Sequence, residues 1–131
     1  MTGLVVDTSA LMSILRREPG SLALASALGS ADLALASAPT LLELGLVVEG
    51  RHPDAVGRAL QAMREGEIQV VAFDEALAIR ATEAWRRFGK GRHPAGLNFG
   101  DCCTYALAEE RDLPILCVGE AFRRTGWPVL P

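Results

Sequence analysis

Apolar residues fall along the chain in two rhythms, short unbroken runs and longer stretches with helical spacing. The runs at 4–6, 68–72 and 115–118 predict strands, the second of them rich in β-branched residues. LALA at 33–36 is read as a further strand, although its composition suits a helix equally well. Residues 128–130 read as a last edge strand. Helices are predicted over 8–17, ending before Pro19, and over 21–28, stopped by Gly29. Another is predicted over 39–48, with Pro39 in its first turn. Residues 53–64 carry apolar side chains at 56, 59, 60 and 63, an amphipathic spacing. Two more helices follow at 74–88 and 98–110, separated by the glycine- and proline-punctuated loop GKGRHPAG.

Strands alternating with helices at this spacing imply an α/β fold: a central parallel β-sheet of four to five strands, flanked by α-helices on both faces. No repeat, low-complexity tract or linker divides the chain, so residues 1–131 are expected to form one domain. At 131 residues, half of them apolar, it is long enough to bury a core. Asp7 interrupts the N-terminal apolar stretch, and no run reaches the roughly 18 residues of a membrane span. With no signal-peptide pattern either, the expectation is a soluble, cytoplasmic protein without membrane contact.

Charge and cysteine content narrow the chemistry. The net charge of −3 argues against coating nucleic acid by bulk electrostatics and leaves a local site open. Lys90 is the only lysine among the cations. Three cysteines, two adjacent and none in a C-x-x-C pair, support neither a zinc site nor a disulfide framework and read as buried thiols. His52 and His93 lie in polar, loop-like stretches and read as surface residues.

The acids carry more information. Asp7, Asp74 and Glu120 follow predicted strands, where chemistry gathers in folds of this class. Glu43 and Asp101 sit near predicted helix starts. Capping explains each one singly: Asp7 and Asp74 as N-caps, Thr40-x-x-Glu43 and Asn98-x-x-Asp101 as capping boxes. Glu43 strains that explanation, because its helix is apolar nearly all round and therefore expected to be interior. An unpaired carboxylate there would lose several kcal/mol or take up a proton. Asp101, with Leu97, Tyr105 and Ala108 on its face, repeats the problem more weakly. A metal ion or a cationic partner would resolve this; a divalent cation shared by Asp7, Glu43 and Asp101 is the economical solution, and oxygen-only ligands favour Mg²⁺ or Mn²⁺ over zinc.

The stretches VVDTSAL, TLLELGLV and GKGRHPAGLNFGDCCTYALA, in this order, resemble the PIN domain, and in particular the VapC-type toxins of bacterial toxin–antitoxin pairs. The resemblance spans essentially the whole chain. It implies a PIN-like fold and a Mg²⁺- or Mn²⁺-dependent endoribonuclease that forms a homodimer and is inhibited by a cognate VapB-type antitoxin. Asp7, Glu43 and Asp101 match the family's acidic metal ligands, and Thr8 matches a hydroxyl position that assists metal or substrate binding. Asp74 matches an acid usually kept at a helix start. The sequence departs from the family at VGEAFRRTG: positions 121 and 126, commonly aspartates, are alanine and glycine. Glu120 stands one position early, as a fourth acid expected to reach the metal through water.

The implied reaction is hydrolysis of an RNA phosphodiester by metal-activated water, leaving a 5′-phosphate and a 3′-hydroxyl. Candidate phosphate contacts are Arg16, Arg17, Lys90, Arg92, Arg123 and Arg124. The missing aspartates motivate an alternative, a catalytically degenerate domain that binds antitoxin or RNA without cutting. A phospho-acceptor receiver domain fits poorly, because Asp7 is followed by Thr8 and Ser9 and no lysine follows the last long apolar run. A DxD-type phosphatase fails in the same way, since residue 9 is serine.

Overall fold

The computed structural model describes residues 2–49 and 55–131. Among them run five strands: β1 (Gly3–Val6), β2 (Leu33–Ser37), β3 (Ile68–Val71), β4 (Ile115–Leu116) and β5 (Val129–Leu130). Six helices connect them: α1 (Thr8–Leu15), α2 (Ser21–Ser30), α3 (Ala38–Glu49), α4 (Ala55–Glu65), α5 (Glu75–Phe88) and α6 (Phe99–Arg111). The strands form one sheet in the order β3-β2-β1-β4-β5, with every pairing parallel.

Successive side chains on a strand face opposite ways, so a sheet covered on both sides is apolar at every position. Val5, Leu35 and Ile115 face one way, into a core shared with Leu77, Phe88, Tyr105 and Leu107 from α5 and α6. Leu4, Val6, Ala34, Ala36 and Leu116 face the other way, against Leu11, Leu24, Leu44 and Met63 from α1 to α4. These are the two helical layers expected from the alternation of runs and periodic stretches. No described helix is long and apolar enough to cross a membrane.

The boundaries depart from expectation where local signals compete with packing. The second helix runs through Gly29 to Ser30, because a single glycine weakens a helix by only about 1 kcal/mol relative to alanine. The first ends at Leu15, and Arg17 turns back with a positive φ of 53°. β4 holds two residues where four were expected: the Cys117 amide still donates to the Leu130 carbonyl at 3.3 Å, but the next amide, of Val118, turns to the Ser9 hydroxyl at 3.0 Å. Pro53, the expected start of the fourth helix, and His52 lie outside the described residues. The largest correction concerns the third helix, α3, which is not interior all round. Leu42 and Leu46 are 60% and 66% exposed, since only the Thr40, Leu44 and Gly45 side of the helix meets the protein.

Chain order makes β1 special. The path moves outward from β1 through β2 to β3, then returns to add β4 on the other side of β1. The carboxyl ends of β1 and β4 therefore flank a crevice, the place where open parallel sheets bind ligands. Leu107, fully buried in the α6 layer, is a test of the core. Leu107→Ala is expected to cost about 3 kcal/mol in urea unfolding, whereas Leu22→Ala, at a position 86% exposed, should stay within about 0.5 kcal/mol of wild type.

Candidate functional site

Asp7 follows β1 at the head of that crevice and is 5% exposed. It is the N-cap of α1, accepting from the Ser9 amide at 3.1 Å and from the Ser9 hydroxyl at 2.7 Å through one oxygen. Its other oxygen accepts from the buried Thr104 hydroxyl of α6 at 2.8 Å. Ser9 in turn accepts from the Val118 amide, so the end of β4 is tied to the same carboxylate. Thr8, next along, donates to Glu43 Oε1 at 2.8 Å and links α1 to α3.

Glu43 approaches α6 at Gly100. A methyl group built there would overlap both oxygens and the carboxyl carbon of Glu43, so the position excludes every other residue while Glu43 stays in place. The Thr40-x-x-Glu43 box does not form. Thr40 bonds instead to Ser37, and Glu43 is left to Thr8. The Asn98-x-x-Asp101 box does form: the Asp101 amide donates to Asn98 at 2.9 Å, and the Asn98 amide donates to Asp101 Oδ2 at 3.1 Å.

Electrostatics shows that the three acids share one neighbourhood. Burial raises the Asp101 carboxyl to about 6, the Asn98 amide opposes the shift, and the charges of Asp7 and Glu43 add to it. Glu43 is raised by burial too, with Thr8 pulling the other way and Asp7 pushing further up. No lysine or arginine among the described residues pairs with any of the three. Nor do three acidic, histidine or cysteine side chains among those residues already surround one point as ligands do. The donor set is nonetheless the one a hard divalent cation takes: oxygen only, carrying excess negative charge and held in place by hydroxyls and amides.

Glu120 stands exposed on the rim; its backbone carbonyl accepts from the Arg124 amide at 3.0 Å, and its carboxylate forms no ion pair among the described residues. It belongs to the same field. The buried Cys117 thiol is pushed up to about 11, by burial first, then by Asp7, with Asp101 and Glu120 adding and Arg123 opposing. All three cysteines are buried and free.

The sequence-derived cations are scattered. Arg16 and Arg17 lie past the far end of α1, about 12 Å along the axis from its acidic start, and Arg16 lines a cleft with Arg58, Gln61 and Glu65. Arg92 lies over the Trp85 ring at 4.2 Å, and Lys90 is exposed in the same loop. Arg123 and Arg124 donate to the carbonyls of Pro131 and Pro94, at 3.0 and 3.3 Å. His93 is half-buried rather than at the surface, its ring edge-on to Phe88 and its Nδ1 accepting from the Ala95 amide. Asp74 caps α5 through the Leu77 amide.

Sequence reasoning passed over Ser9, Gly100 and Thr104. Ser9 was weighed only as the absence of a second acid. A signal for Thr104 was present: it lies one helical turn after Asp101, on the side that meets β1.

The PIN domain family model matches residues 4–128. The sequence is 44% identical over 125 residues to VapC ribonuclease Mb0625 of Mycobacterium bovis, covering 94% of each chain. It is 43% identical over 123 residues to ribonuclease VapC of Mycolicibacterium smegmatis, covering 93% of this chain and 95% of that one. The fold is similar to the crystal structure of Mycobacterium tuberculosis VapC20, described as a sarcin–ricin loop cleaving toxin. That match has a TM-score of 0.76 and 18% identity, over 98% of this chain and 99% of the other. A second solved structure, VapBC-1 from nontypeable Haemophilus influenzae, matches with a TM-score of 0.75 and 14% identity, over 98% and 96%. The chain belongs to the PIN domain family and is of the VapC type.

The raised Asp101 carboxyl makes stability depend on pH. Its ordinary value is 3.8 and its folded value about 6, so in that window the folded chain binds the extra proton. Stability therefore falls as pH rises through the window, and the whole penalty is present above it. In EDTA, Asp101→Asn is expected to melt higher than wild type at pH 7.5, with the gap closing by pH 4. Thermal melts at both pH values check this, and a gap of equal size at both contradicts it.

Proposed function

We propose that the chain is the ribonuclease toxin of a VapBC-type pair, a single PIN domain over residues 1–131 that hydrolyses RNA phosphodiester bonds in the cytoplasm. The observation that carries this reading is the crowding of Asp7, Glu43 and Asp101 at the crevice between β1 and β4, with no cationic side chain among the described residues to neutralise them. The 43–44% identity to proteins named VapC ribonucleases supports the choice of RNA as substrate.

Asp7, Glu43 and Asp101 hold Mg²⁺ or Mn²⁺. The chemistry such a cation supplies is Lewis acidity, which acidifies water and offsets phosphate charge. The chain's own residues do the rest. Ser9 and Thr104 fix both Asp7 oxygens with three donors, so the lone pair left on Oδ1 points in a set direction. Thr8 occupies Glu43 Oε1 and leaves Oε2 to orient an attacking water. Glu120 acts from the rim through solvent. Lys90, Arg92, Arg123 and Arg124 are the cations we assign to the RNA backbone, with Arg16 and Arg17 further out along α1.

A VapB-type antitoxin and a second copy of the chain are the protein partners of this reading. Leu42, Leu46 and Val47 on α3 and Val56 on α4, all exposed, support it, because apolar surface left in the open marks interaction sites.

Purified chain freed of antitoxin is expected to cleave total RNA with Mn²⁺ and to stop in EDTA. Asp7→Asn and Asp101→Asn should each lower the rate by more than about 100-fold, beyond the usual loss of a supporting hydrogen bond. Thr104→Val should lower it about tenfold, with Thr104→Ser restoring it. No Mn²⁺-dependent cleavage by the wild-type chain would sink the reading and leave a module that binds RNA or antitoxin without cutting.

A further inference from the structure

A second feature shares the first turn of α6 with Asp101. A cleft of about 500 Å³ opens between α5 and α6, lined by Phe73, Trp85, Phe99, Cys102 and Cys103 among others, with no charged residue in its wall. Phe99 is 79% exposed, although it is a large aromatic side chain at the start of a helix buried from Cys102 to Ala108. Phe99 and Asp101, two apart, point to different sides of the helix, but Cys102 and Cys103 in the cleft wall feel the charges of Asp101 and Glu43, so the cleft adjoins the acids.

Trp85 has two close neighbours, both from the turn at 89–92. The Arg92 guanidinium lies over its ring at 4.2 Å. Gly89 lies so close that a Cβ there would meet the indole at 2.5 Å from Cδ1 and 2.7 Å from Nε1. The indole rim carries positive charge from Arg92, with Lys90 in the same loop. Aromatic faces beside cations are the features that bind single-stranded nucleic acid, because every base has a face to stack and every nucleotide a phosphate to pair. The cleft volume also falls in the range of small-ligand sites.

We propose that this cleft receives one unpaired base of the RNA, stacked on Phe99 with Trp85 in the wall, and thereby seats the single strand beside the acidic crevice. The assignment rests on the nuclease reading for its position relative to the cut, but base binding can be measured without cleavage. The occupant is a nucleobase rather than a protein segment because the guanidinium on Trp85 gives the rim the charge that a phosphate backbone needs.

The test is fluorescence anisotropy of labelled hexaadenylate and of a matching oligomer without bases, in EDTA, with the full chain. Wild type should bind hexaadenylate about tenfold more tightly than the abasic oligomer, and Phe99→Leu and Trp85→Leu should each lose about that factor for hexaadenylate alone. Phe99 is exposed, so its variant keeps the fold even if the Trp85 variant is weakened. Equal affinity for the two oligomers, or hexaadenylate binding unchanged in Phe99→Leu, overturns the proposal. Cleavage in Mn²⁺ is scored separately. A chain that binds bases through these rings but cuts nothing loses the nuclease reading and keeps the cleft; one that cuts RNA but ignores the bases does the reverse.

Discussion

Burying an ionisable carboxylate at the meeting of β1 and β4 is the constraint around which the other elements are arranged. Asp7 is almost sealed from water, and a charge so placed is tolerable only with donors on its oxygens. The chain supplies three: the amide and hydroxyl of Ser9, and the hydroxyl of Thr104. Those three contacts recruit α1, α6 and, through the Val118 amide, the end of β4. Glu43 and Asp101 then add negative charge where there is already too much. The amino ends of α1 and α6 both lie there, each offering roughly half a positive charge from its aligned peptides. That offsets part of the charge, while the Glu43 and Asp101 carboxyls are raised by burial first, with the charge of Asp7 adding to it.

Capping and chemistry are usually weighed against each other for an acid at a helix start, and here the same side chains do both. Asp7 caps α1 and still meets Thr104 across the crevice. Asp101 completes a capping box with Asn98 and still feels Asp7 and Glu43. A cap holds a carboxylate in one orientation through backbone amides, which is also what a rigid ligand needs. Glu43 is the exception. It caps nothing, and its place is fixed by one hydroxyl and by the missing side chain at Gly100.

The sheet and its two helical layers were legible because alternating and periodic apolar patterns are local. Val5 and Leu35 on one face, and Leu4 and Ala36 on the other, follow from strand geometry alone. Boundaries set by tertiary contacts were not legible: β4 is cut short by the bond from Val118 to Ser9, 109 residues away in sequence. The exposure of α3 was misread for a related reason, since an apolar helix reads as interior unless its surface faces a partner. Of the centre, the three acids could be picked from residue type and position. The residues that hold them could not. Thr104 is one of many hydroxyls on helices, and the need for glycine at 100 exists only once Glu43 has been brought to it.

The rim shows how the same constraint shapes the stretch that departs from the family. Ala121 is half-buried against the core around Phe122, so an aspartate there would lose solvent. Gly126 closes the short turn Arg123–Thr125 in the left-handed region, at a φ of 84°, where a branched or longer side chain is strained. Glu120, one residue before the buried alanine, stays in water, and water screens its charge. A carboxylate at that point adds to the field at the crevice without adding a fourth desolvated charge to the three already crowded around Asp7.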